Sequence, residues 1–251
     1  MPPETLYLAL GFLAVATLYA SVGFGGGSSY LALLAVFLTA DTALMRSTAL
    51  LCNLAVVTGN VVVQARAGQL PWRRAGPLVA LSVPAAYLGA TLPLSRERFF
   101  LLLGVALVLA AALLAFRTLG PDADAFTARR YPRWTGPALG SGIGLLSGAV
   151  GIGGGIFLSP VLHHLRWARA AEVAALASLF ILVNSVAGLA GLASVGDLRL
   201  DPARTPACLL AVLLGGQLGV RWGVRRFRPA HIRLATAALV GAVGLRILLT
   251  S

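Results

Sequence analysis

The sequence predicts an all-α, polytopic helical membrane protein built as two inverted repeats, and three observations carry that expectation. The first is composition: the 251 residues are 58% hydrophobic and 11% charged, with a mean hydropathy of +0.87, whereas a soluble domain carries about 25% charged residues. The second is a succession of long apolar runs separated by short Arg-bearing loops. The third is a glycine cluster that occurs twice. Gly23-Phe24-Gly25-Gly26-Gly27 returns 128 residues later as Gly151-Ile152-Gly153-Gly154-Gly155.

Taken in order, the apolar segments are 6–22, 28–38, 43–65, 75–94 and 99–116, then 136–150, 156–165, 170–195, 203–223 and 232–249. The first follows Met1-Pro2-Pro3-Glu4, which lacks the basic region of a secretory signal and reads as the lead into a retained helix. The glycine clusters close the first and sixth segments, and each is followed by a fresh apolar helix. Gly68-Gln69-Leu70-Pro71, Ser95-Arg96-Glu97-Arg98 and Gly196-Asp197-Leu198 punctuate the turns. The long polar stretch 120–135, with Asp122, Asp124, Arg129 and Arg130, reads as a linker between a first repeat, 1–119, and a second, 136–251.

The halves share more than glycines. Gly68-Gln69-Leu70 matches Gly196-Asp197-Leu198, Leu88-Gly89 matches Leu218-Gly219, and Asn53 matches Asn184, at offsets between 128 and 131. The first glycine segment, 6–38, is 33 residues, about 50 Å as one helix against a hydrocarbon core of about 30 Å. Each such segment is therefore either one broken crossing or a re-entrant hairpin with three full spans after it. Broken crossings divide the twenty arginines ten against ten. Hairpins put fourteen on the side of Arg66, Arg73, Arg117 and Arg166, and six with Arg46, Arg96 and Arg199. A membrane protein shows a bias, so hairpins and inverted repeats are expected.

The net charge of +12 does not point to nucleic acid. All twenty basic residues are arginine, scattered over loops with no soluble domain to present them. Cys52 and Cys208 sit in apolar segments with no metal or disulfide spacing, and no cofactor or metal is expected. The acids all lie at segment ends or in loops, and no glycine cluster leads into Lys-Ser or Lys-Thr, so ATP-driven transport by this chain alone is not expected. An intramembrane Ser/His enzyme is disfavoured because His163, His164 and His231 lie at segment ends.

Paired backbone breaks at corresponding places in two halves point to a transporter's binding site. Helices starting after Gly25-Gly26-Gly27 and Gly153-Gly154-Gly155 would turn unpaired amides and positive dipole ends toward one cavity, an anion site without charged side chains. Ser28 and Ser29 can add hydroxyls, and Asn53 and Asn184 lie within long spans. The plainer roles are close helix packing for the glycines and interhelical hydrogen bonds for the asparagines. Arg46, Asn53, Asn60 and Gln64 share one helix face, with Arg46 near enough to its helix end to snorkel.

These motifs, with Gly153-Gly154-Gly155 followed by Pro160 and Leu162 and then by Ser178 and Asn184, resemble the TauE/SafE sulfite exporter family over nearly the whole chain. The resemblance implies a multi-pass protein of the bacterial inner membrane that moves sulfite or organosulfonates. With the residues already named, Ser178 completes an expected substrate-binding set of Gly25, Gly26, Gly27, Ser28, Ser29, Asn53, Gly153, Gly154, Gly155, Ser178 and Asn184. The partners expected are a small anionic substrate, the lipid bilayer, a coupling proton and further copies of the chain, with no nucleic acid. A passive anion channel is the alternative. One departure is Ala32, which stands where Pro160 stands in the second half.

Overall fold

The computed structural model describes residues 3–21, 25–37, 41–119, 131–226 and 229–250, which form ten helices and no strand. They are α1 (Pro3–Ala20), α2 (Gly27–Phe37), α3 (Thr42–Arg66), α4 (Trp72–Thr91), α5 (Arg96–Leu119), α6 (Thr135–Val150), α7 (Gly155–His164), α8 (Ala170–Ser194), α9 (Arg204–Arg226) and α10 (Pro229–Thr250). Each expected apolar segment becomes one helix. Boundaries move where side chains other than apolar ones decide them. α5 starts at Arg96, with the Arg98 amide donating to the Ser95 hydroxyl at 3.4 Å. α4 stops at Thr91, because Leu92 precedes Pro93 and is held extended at ψ 126°. Gly23, Phe24 and most of the 120–135 linker lie outside the described residues.

The repeated turn is a shared helix stop. Gly68 and Gly196 have φ of +66° and +74°. The next amide reaches back across the last turn in both cases, Gln69 to the Gln64 carbonyl at 3.0 Å and Asp197 to the Leu192 carbonyl at 2.9 Å. That bond needs a left-handed residue, which glycine adopts without a Cβ penalty.

The first glycine segment folds back on itself. Phe12 of α1 stacks on Tyr30 of α2 at 4.7 Å, the Tyr19 and Ser29 hydroxyls bond at 2.8 Å, and Gly11 lies against Leu33. In the second half, Gly154 lies against Ser147 and Ile143 of α6.

Helix pairings come in exchanged couples. α4 packs on α6 and α9 on α1; α4 meets α8 and α9 meets α3; α7 meets α8 and α2 meets α3; α5 meets α7 and α10 meets α2. The helices α3 and α8 pair with each other at the centre. They run antiparallel, since Leu50 faces Gly188 while Gln64 bonds Ser178. α5 and α10 do likewise, with Gly104 against Leu248 and Gly241 against Ala111. Glycines set the tightest pairs. Gly140, Gly144 and Gly148 of α6 lie over the Leu78, Ser82 and Ala86 carbonyls of α4, and Gly215 and Gly219 of α9 over the Leu13 and Thr17 carbonyls of α1.

Loop contacts define two ends. At one, Arg74 donates to the Trp167 carbonyl at 2.8 Å, Tyr131 donates to the Leu165 carbonyl at 2.7 Å, and the Tyr131 and Trp167 rings stack. At the other, Arg199 pairs with Asp41 at 3.4 Å and Arg204 with Glu4 at 3.7 Å. Residues 74 and 167 thus share one end, and 41 and 199 the other. Three helical stretches among the described residues are long and apolar enough to cross a membrane: Thr42–Arg66, Arg96–Phe116 and Ala170–Ser194. α4 and α9, at 20 and 23 residues, have the length, but their glycines and, in α4, Pro77 and Pro84 lower the apolar density.

Candidate functional site at the hairpin tips

The two glycine tips meet at Asn53, in the middle of α3. A Cβ on Gly25 would lie 2.7 Å from Asn53 Oδ1, and one on Gly153 would lie 2.9 Å from Asn53 Nδ2. Gly27 abuts both the Asn53 side chain and the Ile152 carbonyl of the opposite tip. Asn53 Nδ2 donates to that same carbonyl at 3.0 Å, so one side chain joins α3 to the second tip. From α8, Ile181 lies against Gly25, Gly153 and Gly155, and the Ser185 hydroxyl lies against Gly153. Asn184, on the same face of α8, is fully buried.

Backbone geometry explains the glycines in two groups. Gly26, Gly153 and Gly154 have φ of +88°, +84° and +84°, a region that L residues with a Cβ rarely adopt. Gly25, Gly27 and Gly155 are required by space alone, since any side chain would enter Asn53, Val57 or Ile181. Gly26 and Gly154 point away from the opposite tip, toward Tyr30 and Val15 in one half and Phe180 and Ser147 in the other. A side chain at either position would not enter the space between the tips.

At or beside the tips several polar groups have no partner. Asn53 Oδ1, both polar atoms of Asn184, and the hydroxyls of Ser28 and Ser185 are buried with no hydrogen bond. The first amides of α2 and α7 have no intrahelical acceptor, and α7's cap, Gly154, offers no side chain to them. Leaving such a group unsatisfied costs about 1–3 kcal/mol, so each of them calls for a partner. No acid is buried among the described residues.

The remaining expected residues are placed otherwise. Ser29 is taken up by Tyr19. Ser178 donates to the Ala174 carbonyl at 3.0 Å and accepts from Gln64 at 3.4 Å. It sits seven residues before Ser185, nearer the Arg74 end, and the tips do not gather it. Arg46 does not snorkel. It is 5% exposed and donates through Nη2 to the Ala90 and Gly148 carbonyls at 2.9 and 3.0 Å, in the last turns of α4 and α6. Sequence reasoning missed Ser185, although its place one residue after Asn184 and four after Ile181 was a usable signal.

The sequence model of the family described as "Sulfite exporter TauE/SafE" matches residues 7–247. The chain belongs to the TauE/SafE family. It is also 32% identical over 249 residues to "Probable membrane transporter protein y4hK" of Sinorhizobium fredii (strain NBRC 101917 / NGR234), covering 99% of this chain and all of that protein. No solved structure gives a significant match. As a TauE/SafE protein the chain is a membrane transporter and not an enzyme. Within this TauE/SafE chain the halves differ at the departure already noted. Pro160 lies inside α7 and has no amide to donate to the Ile156 carbonyl, while Ala32 leaves the ladder of α2 complete.

Proposed function

We propose that this chain is a secondary transporter of a small sulfur-containing oxyanion or organosulfonate, bound between the two hairpin tips. The observation that carries the reading is a set of unpartnered polar groups at or beside the two helix N-termini: Asn53 and Ser185 against the tips, Ser28 in the first turn of α2, and Asn184 next to Ser185, with no buried acid among the described residues. Amides and dipole ends favour an anion there, and the family description favours sulfite. The halves, 1–119 and 136–251, are inverted repeats joined by 120–135, and their relative motion gives alternating access. The Arg74 end faces the cytoplasm across the bacterial inner membrane. A proton is the coupling ion of this reading, and no buried carboxylate among the described residues stands as its carrier. Copies of the chain associate in the bilayer without sharing the site, since each chain supplies both tips.

The test is flux of labelled sulfite into proteoliposomes. A saturable rate that rises when unlabelled sulfite is present on the far side is expected. A non-saturating, ohmic anion current would overturn the transporter reading in favour of a channel.

A further inference from the structure

We infer that Arg46 is the charge-selecting residue of the anion path: its guanidinium, at the end of the site away from the arginine-rich face, attracts through its field the anion held between the tips. The inference rests on the anion-transport reading and deepens it. Among the described residues, Arg46 is the one charged side chain that is buried. It precedes Asn53 by seven residues on the same face of α3, a rise of about 10 Å. Gly151, the first glycine of the second tip, packs against it, and a Cβ there would lie 3.1 Å from its Cα, Cβ and Cγ.

The partners of Arg46 hold it without neutralising it. Nη2 donates to two helix-end carbonyls, which carry only partial negative charge, and Nε has no partner. Asp197, on the exposed turn between α8 and α9, forms no ion pair with it. A buried charge left this way is costly unless a charge of opposite sign comes near. On the proposed path that charge is the substrate.

The duplication supplies an internal control. At the offset that matches Asn53 with Asn184, Arg46 corresponds to Ala177. Helix packing at this place in the other half is therefore achieved with a methyl group, and a purely structural need would recur in both. Tying two helix ends calls for a donor and does not call for a full charge.

Charge selection differs from structural support in how it scales with the ligand. At a separation like that backbone rise, about 10 Å, and an effective dielectric of about 20, a unit charge changes the binding of a monovalent anion roughly tenfold, and for a divalent anion the factor is squared. The experiment is thermal-shift titration of the purified full-length protein with methanesulfonate, which carries one charge, and sulfate, which carries two. Arg46→Lys keeps both apparent Kd values within about threefold of wild type. Arg46→Gln weakens methanesulfonate roughly tenfold and sulfate roughly a hundredfold. If Arg46→Gln does not fold, Arg46→Met, of similar length and without charge, carries the same comparison. Equal loss for the two anions, or no loss, makes Arg46 a helix tie only and overturns the inference while anion binding stands. A wild-type protein that no anion stabilises takes down both this inference and the reading beneath it.

Discussion

Asn184 has two polar atoms with no partner, so replacing it by aspartate breaks no bond. Asn184→Asp sets a fixed negative charge on the face of α8 that meets the tips, where the positive ends of α2 and α7 favour it. The carboxylate then competes with any anion for the same donors. The anion-dependent rise in melting temperature expected of the wild type should vanish in this variant, with the ligand-free protein still folded; an undiminished rise would remove Asn184 from the site. Gly153 tests backbone shape instead. Alanine there meets φ +84° and two atoms at 2.9 Å, Asn53 Nδ2 and Ile181 Cγ2, and should cost about 1–3 kcal/mol. Gly59 of α3 has open space around it, so Gly59→Ala should be neutral or gain up to about 1 kcal/mol. Thermal unfolding in detergent compares the two; equal melting temperatures would contradict the strained tip.

At the scale of helices, the crossings that hold the hairpins in place depend on missing side chains. α6 lays Gly140, Gly144 and Gly148 on carbonyls of α4, and backbones that close leave no room for a methyl group. Gly144→Leu should force the pair apart and lose about 1–3 kcal/mol. Gly142 is half a turn away on the exposed side with nothing within 4 Å, so Gly142→Leu should leave folded yield and melting temperature unchanged. A second element-level feature is the start of α9, where Asp201 accepts from the Ala203 and Arg204 amides at 2.8 and 3.0 Å. Those bonds, with Arg204 nearby, hold its carboxyl below the ordinary 3.8. A lowered folded value means the cap stabilises above the unfolded pKa and is lost as pH falls through the folded one. The melting temperature of wild type should therefore drop more steeply below about pH 4 than that of Asp201→Asn. Parallel curves for the two would show that the cap contributes nothing.

Over the whole molecule, what the sequence made legible was what is local in the chain. The ten helices follow from apolar runs, and Gly68 and Gly196 revealed themselves as duplicated stops because a left-handed turn demands a particular residue. The meeting of the tips at Asn53 was less visible. Its bond runs to the Ile152 carbonyl, 99 residues away, and a backbone acceptor leaves no mark on residue type. Arg46 was misplaced for the same reason, since hydropathy assigns arginine to an interface while its acceptors, 44 and 102 residues away, hold it inside. Global topology is where the two layouts part most sharply. With Cys52 and Cys208, both buried and free, replaced by alanine, single cysteines at Gln69, Arg169, Glu97 and Asp197 report loop sidedness. Hairpins put Gln69 and Arg169 in one compartment and Glu97 and Asp197 in the other, as the Arg74–Trp167 and Asp41–Arg199 contacts imply. A broken crossing at residues 151–155 instead carries Arg169 across the membrane from Gln69. An impermeant maleimide added to intact cells should label Glu97→Cys and Asp197→Cys, and should reach Gln69→Cys and Arg169→Cys only after the membrane is opened. Labelling of Arg169→Cys without Gln69→Cys would refute the inverted arrangement, and with it the meeting of the two helix ends on which the anion site depends.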